Sequence, residues 1–478
     1  MPDERSYKRF VLLITSIGSM MAPLDGSIVG VALPAMTSGL GMNYVSVIWV
    51  PSAYLATLAV TLLIIGRLSD THGRRRLLLA GLTIFVFGSA LCSVAQSGGE
   101  LIAFRVFQGV GTACMAATAT AIVTDVFPAK ERGKALGINI MSVYVGGAIG
   151  PSLGGFLTYA FGWRSVFWVN VPIGIVVLAL AIWRLRESAP RKTSEPFDVQ
   201  GTLTFAVGLV SLLIAMTVGE TVGWTSPLII GLLVIAAASF ILLVFVETSK
   251  GDAAMIDLTL IAHNRLFAAA NIAALLNYTA FFGASFILSF YIQRVLGRSP
   301  LETGLILISM PITMAVLAPL SGWASDKVGS RLLSTGGMLC IAAGLLLLST
   351  LTLTSSTAHV TVYLFILGAG MGLFSSPNTN AIMGSVEHKQ RGVASGMVAT
   401  MRTTGQSLSL AVTGAIIATV ASSKVVSSLF AGANPAEIAV ESAAFVHGMS
   451  LAFAASAAIA LVGALFSAAR GPSKQHLS

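Results

Sequence analysis

Residues 66–81 read G-R-L-S-D-T-H-G-R-R-R-L-L-L-A-G, a charged stretch set between two long apolar runs. The pattern returns 256 positions later, at 322–337, as G-W-A-S-D-K-V-G-S-R-L-L-S-T-G-G. Gly66, Ser69, Asp70, Gly73, Arg75, Leu77 and Gly81 align without a gap on Gly322, Ser325, Asp326, Gly329, Arg331, Leu333 and Gly337. A second echo follows at a spacing of 259, where Gly109, Gly111, Arg132, Gly133 and Gly137 meet Gly368, Gly370, Arg391, Gly392 and Gly396. The chain therefore carries one plan twice.

Composition says where that plan is realised. Of 478 residues, 55% are hydrophobic and only 10% are charged, against roughly 25% charged in soluble domains. The apolar residues fall into fourteen runs of about twenty, long enough to span a bilayer, the first at 10–33 and the last at 445–469. The net charge of +9 does not point to nucleic acid, because the basic residues sit in short alternate loops between the runs. Arg5, Lys8 and Arg9, then Arg67 and Arg74–Arg76, then Lys130, Arg132 and Lys134 mark one side, whereas the other holds only Arg164, Arg294, Arg298 and Lys424. That bias puts both termini in the cytoplasm. The basic start and first apolar run resemble a signal peptide. The run nevertheless continues past Asp25 to Leu33 without a small-residue cleavage site, so it reads as a retained first span. Cys92, Cys114 and Cys340 lie inside apolar runs and form neither a disulfide framework nor a metal site.

Six spans with short loops occupy about 200 residues. The repeat offset exceeds that by enough for two more, which are the runs at 199–219 and 226–247. The expected fold is an all-α integral membrane protein of 14 transmembrane helices. Residues 1–190 form a six-helix bundle, 191–255 a polar linker and two inserted helices, and 256–478 a second, pseudo-symmetric six-helix bundle. Duplicated membrane halves are a recurrent architecture of transporters.

Asp25 is the only acid well inside a predicted span, and an ionised carboxylate there must be paired, hydrated or protonated. Arg105 is the one buried base of the first half, and its copy at position 364 is Leu. At about 1.5 Å per residue from the outer ends, Asp25 lies about 12 Å deep and Arg105 about 7 Å, a gap that a long side chain or one water bridges. The pair reads either as a static ion pair or as a proton site whose acid is tuned by the arginine. Gly146, Gly150 and Gly154 share one helical face and suit backbone-to-backbone contact, with Pro151 permitting a bend; plain tight packing is the other reading. On span nine Asn277, Phe281, Ser285 and Leu288 follow helical spacing, as a cavity face or as a packing stripe. Arg402, about ten residues into span thirteen, either lines a cavity or bonds helix ends. No G-x-x-x-x-G-K, H-E-x-x-H, G-x-S-x-G or paired-cysteine motif occurs, and no lysine lies in a span, which argues against ATP as energy source, enzymatic chemistry and a bound cofactor.

The motifs together resemble the major facilitator superfamily across the whole chain. The loop at 66–81 is similar to the family's G-x-L-a-D-r-x-G-r-k loop between spans two and three. L-I-A-F-R-V-F-Q-G-V-G at 101–111 is similar to L-x-x-x-R-x-x-Q-G-x-G, and G-G-A-I-G-P-S-L-G-G at 146–155 to the antiporters' G-x-x-x-G-P-x-x-G-G, which adds Gly155. L-D-G-S-I-V-G-V-A-L-P at 24–34 resembles the L-D-x-T-I-V-N-V-A-L-P of the fourteen-span drug:proton antiporter branch, with Ser27 for Thr and Gly30 for Asn. F-D-V-Q-G at 197–201 and F-Y-I-Q-R-V-L-G-R-S-P-L-E-T-G at 290–304 also resemble that branch.

The resemblance implies a monomeric exporter in the cytoplasmic membrane, expelling a small lipophilic or cationic compound in exchange for protons by alternating access, with substrate at the midplane. It implies a gating latch at Gly66, Asp70, Gly73, Arg74 and Arg75, echoed by Asp326 and Arg331. In that latch Asp70 meets a helix N-terminus and Arg74 reaches Asp125. It further implies that the 146–155 helix seals the outer side and couples the halves. Export of a single endogenous metabolite or lipid is the rival. A non-transporting sensor or scaffold fits less well, because it needs no intramembrane acid and usually carries a soluble output domain.

Overall fold

The structure, a computed structural model, describes residues 4–187, 198–250, 258–387, 390–422, 425–426 and 435–470. Among the described residues every regular element is helical, and fourteen helical segments are long and apolar enough to cross a membrane. Twenty residues rise about 30 Å, the thickness of a hydrocarbon core. Large apolar side chains such as Phe161, Trp183 and Leu332 are exposed on this surface, as lipid contact requires. The first span is longer than its apolar run: α1 covers Glu4–Leu40 and carries Pro23 and Pro34 within it.

The described chain divides into two compact units. The first comprises Met1–Met42, Trp49–Pro196 and Ser299–Ile308, and the second Asn43–Ile48, Phe197–Arg298 and Ser309–Ser478. After α1 the chain forms α2 (Tyr44–His72), α3 (Arg74–Val94), α4 (Gly98–Val126), α5 (Ala129–Phe161), α6 (Ser165–Trp168) and α7 (Asn170–Arg184). In the first unit α1 packs along α5, and α3 along α4 and α7. Val11, Ile14, Leu82, Phe85, Met115 and Val177 form an apolar core joining α1, α3, α4 and α7.

The chain continues through α8 (Val199–Val222), α9 (Pro227–Lys250), α10 (Leu258–His263) and α11 (Arg265–Phe290), which runs into a π-helical turn at Tyr291–Val295. Asp198 caps α8 by accepting from the Gly201 N–H at 2.8 Å and also pairs with Lys250 of α9. The F-D-V-Q-G stretch thereby clasps the two inserted helices. The run expected as one span at 302–325 is interrupted at Ile308, between α12 (Pro300–Leu307) and α13 (Ser309–Val328). α12 opens with a capping box, the Ser299 hydroxyl and Glu302 carboxylate satisfying each other's backbone N–H groups. It belongs to the first unit because Gly304 and Gly155 bring its backbone onto α5 at Pro151. The second unit is completed by α14 (Ser330–Ser349), α15 (Thr357–Gly384), α16 (Arg391–Ala421) and α17 (Pro435–Ala469).

The sequence repeat is visible in three dimensions at the glycines. A side-chain carbon on Gly81 would lie 2.9 Å from the Gly111 carbonyl, and one on Gly337 2.7 Å from the Gly370 carbonyl. Gly109 abuts the Tyr54 carbonyl, and its repeat partner Gly368 abuts the carbonyl of Met310, the position equivalent to Tyr54. Each unit thus holds the same two helix crossings with backbone against backbone.

Candidate functional site

Asp25 sits on α1 two residues after Pro23, completely buried. It meets Arg105 of α4 directly, Arg105 Nη1 donating to Asp25 Oδ2 at 2.5 Å, so no bridging water is needed. The other oxygen, Oδ1, accepts from Gln108 Nε2 at 3.0 Å and from Asn170 Nδ2 of α7 at 2.8 Å. Gln108 is itself held, its Oε1 accepting from Arg105 Nη1 at 2.6 Å and its Nε2 donating to Ser89 Oγ of α3 at 2.8 Å. Arg105 Nε donates to the Val50 carbonyl at 3.4 Å, and the guanidinium lies 4.0 Å from the centre of the Tyr54 ring on α2. Asp25, Arg105, Gln108, Asn170 and Ser89 are each at most 1% exposed. Five helices contribute to one dry network in which a carboxylate faces donors only. Such an acid can change protonation only if its partners move, since a proton on either oxygen displaces a hydrogen bond.

The glycine row of α5 leans on the same stretch of α1. A side-chain carbon at Gly146 would lie 2.5 Å from the Met20 carbonyl and one at Gly154 2.7 Å from the Ile28 carbonyl; one at Gly150 would overlap Ser27 Oγ. The row therefore faces the helix that carries Asp25, one turn to either side of it. Pro151 and Gly155, on the neighbouring face, meet α12.

In the charged loop Gly73 adopts φ 97°, a backbone region that favours glycine, and Gly329 repeats it at φ 84°. Arg74 is buried, its Nη1 reaching Asp125 Oδ1 at 2.6 Å and the Ala121 carbonyl at 2.8 Å on α4. The Arg75 N–H donates to Glu187 Oε1 at 3.1 Å, and its Nη2 to the Ile182 carbonyl of α7 at 3.1 Å. Gly66 lies within α2, and the side chains of Asp70 and Asp326 lie outside the described residues. The second unit does not copy the arginine clasp. Ser330 stands at the position of Arg74, and Arg331 is exposed. Arg470, just beyond α17, comes in instead, donating through Nη1 to Asn378 Oδ1 at 3.0 Å and through Nη2 to the Ser330 carbonyl. Burial, and secondarily the charge of Arg331, push the Arg470 guanidinium down to about 10, so it remains a buried cation at neutral pH.

Asn277 and Phe281 are buried, and Asn277 Nδ2 lies 3.1 Å from Met338 Sδ on α14. Leu288 is buried with them. Ser285 and Arg402 are half-buried. Gln108, Asn170, Ser89 and Arg470 are the functional-site and clasp residues that spacing alone did not single out. The signal for Asn170 was a lone amide inside a span of mean hydropathy 2.3.

Residues 15–261, 199–409 and 270–475 match the profile of the Major Facilitator Superfamily. The riboflavin transporter RibZ of Clostridioides difficile is 35% identical over 396 residues, 83% of this chain and 85% of that protein. The multidrug resistance protein Stp of Mycobacterium tuberculosis is 34% identical over 408 residues, 85% of this chain and 75% of that protein. A solved bacterial homolog of the human lysosomal transporter Spinster, inward-facing and unoccupied, matches with a TM-score of 0.72 over 99% of both chains, at 18% identity. That last likeness concerns the fold.

Proposed function

The chain belongs to the Major Facilitator Superfamily and is a multi-pass membrane transporter, and we propose that it exports small lipophilic or cationic compounds in exchange for protons. The observation that carries this reading is the buried carboxylate of Asp25, held by Arg105, Gln108 and Asn170. Antiport needs a group that is charged in one state and neutral in another, and an intramembrane acid with movable partners is suited to that. In the proposed cycle Asp25 takes a proton from outside, Arg105 and Gln108 turn to each other, and α1 moves together with α5, to which the glycine row joins it. The Arg74–Asp125 contact opens and closes with the same cycle. The protein acts as a monomer in the cytoplasmic membrane with both termini inside, and the boundaries 1–190, 191–255 and 256–478 divide its repeats.

The multidrug relative supports a broad substrate range. The riboflavin transporter supports the second reading, export of one endogenous compound. A competition panel that includes riboflavin separates the two: many competitors favour multidrug export, and one strict competitor favours the rival.

Asp25→Asn tests the coupling. It keeps the size and accepts hydrogen bonds but does not titrate. Reconstituted in vesicles, the variant is expected to bind substrate and to lose movement driven by an imposed pH gradient. Normal pH-driven movement would place the coupling acid elsewhere, with Glu220 on α8 next in line. Loss of binding as well would make Asp25 and Arg105 a structural pair only.

A further inference from the structure

One face of α16 carries polar groups that the protein leaves without partners. Gly405 seats this helix on α11, where a side-chain carbon would lie 2.7 Å from the Leu275 carbonyl and 2.8 Å from Tyr278 Cβ. Beside that seam stand Arg402 and Gln406, one helical turn apart and both half-buried. Neither side chain has a hydrogen-bond, ionic or ring partner among the described residues. Several hydroxyls of the same helix are engaged, although those of Thr400 and Thr404 are not. Thr403 Oγ1 donates to the Ala399 carbonyl at 3.0 Å and Ser407 Oγ to the Thr403 carbonyl at 3.0 Å, while Ser409 Oγ accepts from the Gly283 N–H at 2.8 Å.

Both groups lie deep. In the span Ala394–Ala421, at about 1.5 Å per residue, Arg402 is about 12 Å and Gln406 about 18 Å from the nearer helix end. A guanidinium facing lipid tails at such depth is strongly disfavoured, and an intramembrane base without a protein counter-ion marks a ligand path. Across the seam α11 leaves Tyr278, Phe282 and Ser285 half-buried, at i, i+4 and i+7, while Asn277, Phe281 and Ala284 are buried. The Tyr278 ring thus stands beside an unpaired cation and an unpaired amide, with Phe282 one turn further along the same seam, all within the second unit.

We propose that Arg402 and Gln406 recognise an anionic group on the transported compound, a carboxylate, phenolate or enolate, while Tyr278 and Phe282 receive its planar apolar body. The guanidinium fork places two parallel N–H donors on such a group, which an ammonium does not, and the Gln406 amide adds a donor one turn on. Ring faces stack on a conjugated scaffold. The inference rests on the transporter reading and narrows its substrate class from lipophilic or cationic to lipophilic anions.

The test compares two xanthene dyes of similar ring shape and opposite charge, fluorescein and rhodamine 6G. Binding to the purified full chain in nanodiscs is followed by fluorescence anisotropy. Fluorescein is expected to bind at least about tenfold tighter than rhodamine 6G. Arg402→Gln should weaken fluorescein by about ten- to a hundredfold, the size of one charge-assisted hydrogen bond, and leave rhodamine 6G unchanged. Arg402→Lys should recover part of the loss, and Arg402→Glu should reverse the preference, which a role in folding would not do. Equal or tighter binding of rhodamine 6G, no binding of fluorescein, or unchanged fluorescein affinity in Arg402→Gln would overturn the proposal. Since no gradient is applied, lost pH-driven transport with intact charge selectivity counts against the proton reading alone.

Discussion

Gly150→Ala replaces a hydrogen by a methyl group at a place with no room for it. The new carbon would overlap Ser27 Oγ, lie 2.7 Å from Ser27 Cβ and 3.2 Å from the Leu24 carbonyl. Ser27 cannot swing away freely, because its hydroxyl already donates to the Pro23 carbonyl at 2.6 Å. The backbone of α1 or α5 must therefore give, and overpacking of this kind costs about 1–3 kcal/mol. Gly147→Ala is the internal control: nothing lies within 4 Å of its side-chain carbon, and alanine in a helix interior gains about 0.5–1 kcal/mol over glycine. Adding Ser27→Gly to Gly150→Ala removes the colliding atoms and should restore much of the loss. The cycle of Gly150→Ala, Ser27→Gly and the double variant is then expected to show a coupling of about 0.5–3 kcal/mol. Thermal unfolding in nanodiscs measures each corner, and pH-driven export shows whether displacement beside Asp25 also costs function. If Gly150→Ala melts with Gly147→Ala, or the two substitutions are simply additive, the α1–α5 contact is not the one described.

Asp125→Asn removes the charge that Arg74 reaches while keeping the side chain's shape; export should fall with insertion intact, and full export at equal expression would remove the clasp from the cycle. Arg470→Ala leaves Asn378 Oδ1 and the Ser330 carbonyl without this donor, at a cost of about 1–3 kcal/mol for each acceptor left unsatisfied, read as a lower unfolding temperature; an unchanged melt would mean that water replaces the guanidinium. Gly81→Val and Gly337→Val should lower stability by similar amounts, about 1–3 kcal/mol or more, and a large difference in melting between them would break the equivalence of the two units.

Much of this architecture was legible because membrane helices leave long, regular marks. Fourteen apolar runs became fourteen spans, and the glycine repeats became helix crossings, since small residues at fixed spacing have few other uses in lipid. Asp25 and Arg105 stand out as isolated charges, and the contact of Arg74 with Asp125 is one that the family resemblance implies. Periodicity names a face but not its partner. The spacing of Gly146, Gly150 and Gly154 places them on one face but does not say that α1 covers it. The same limit hid Gln108 and Asn170, whose amides matter through what they touch, and Arg470, distant in sequence from the Ser330 carbonyl it binds. The break at Ile308 leaves no hydropathy mark, because both sides are apolar.

The paired glycines of α3 with α4, and of α14 with α15, set a limit on how the molecule can deform. Where two backbones touch with no side chain between them, there is no compliant layer to absorb sliding, and a small offset drives carbonyls into neighbouring atoms. Each of these hairpins must travel as a strut. Flexure is left to the faces whose contacts run through side chains and hydroxyls, above all the face of α1 that turns Asp25 to α4 and α7. A spectroscopic ruler placed within either hairpin should hold one distance through the transport cycle.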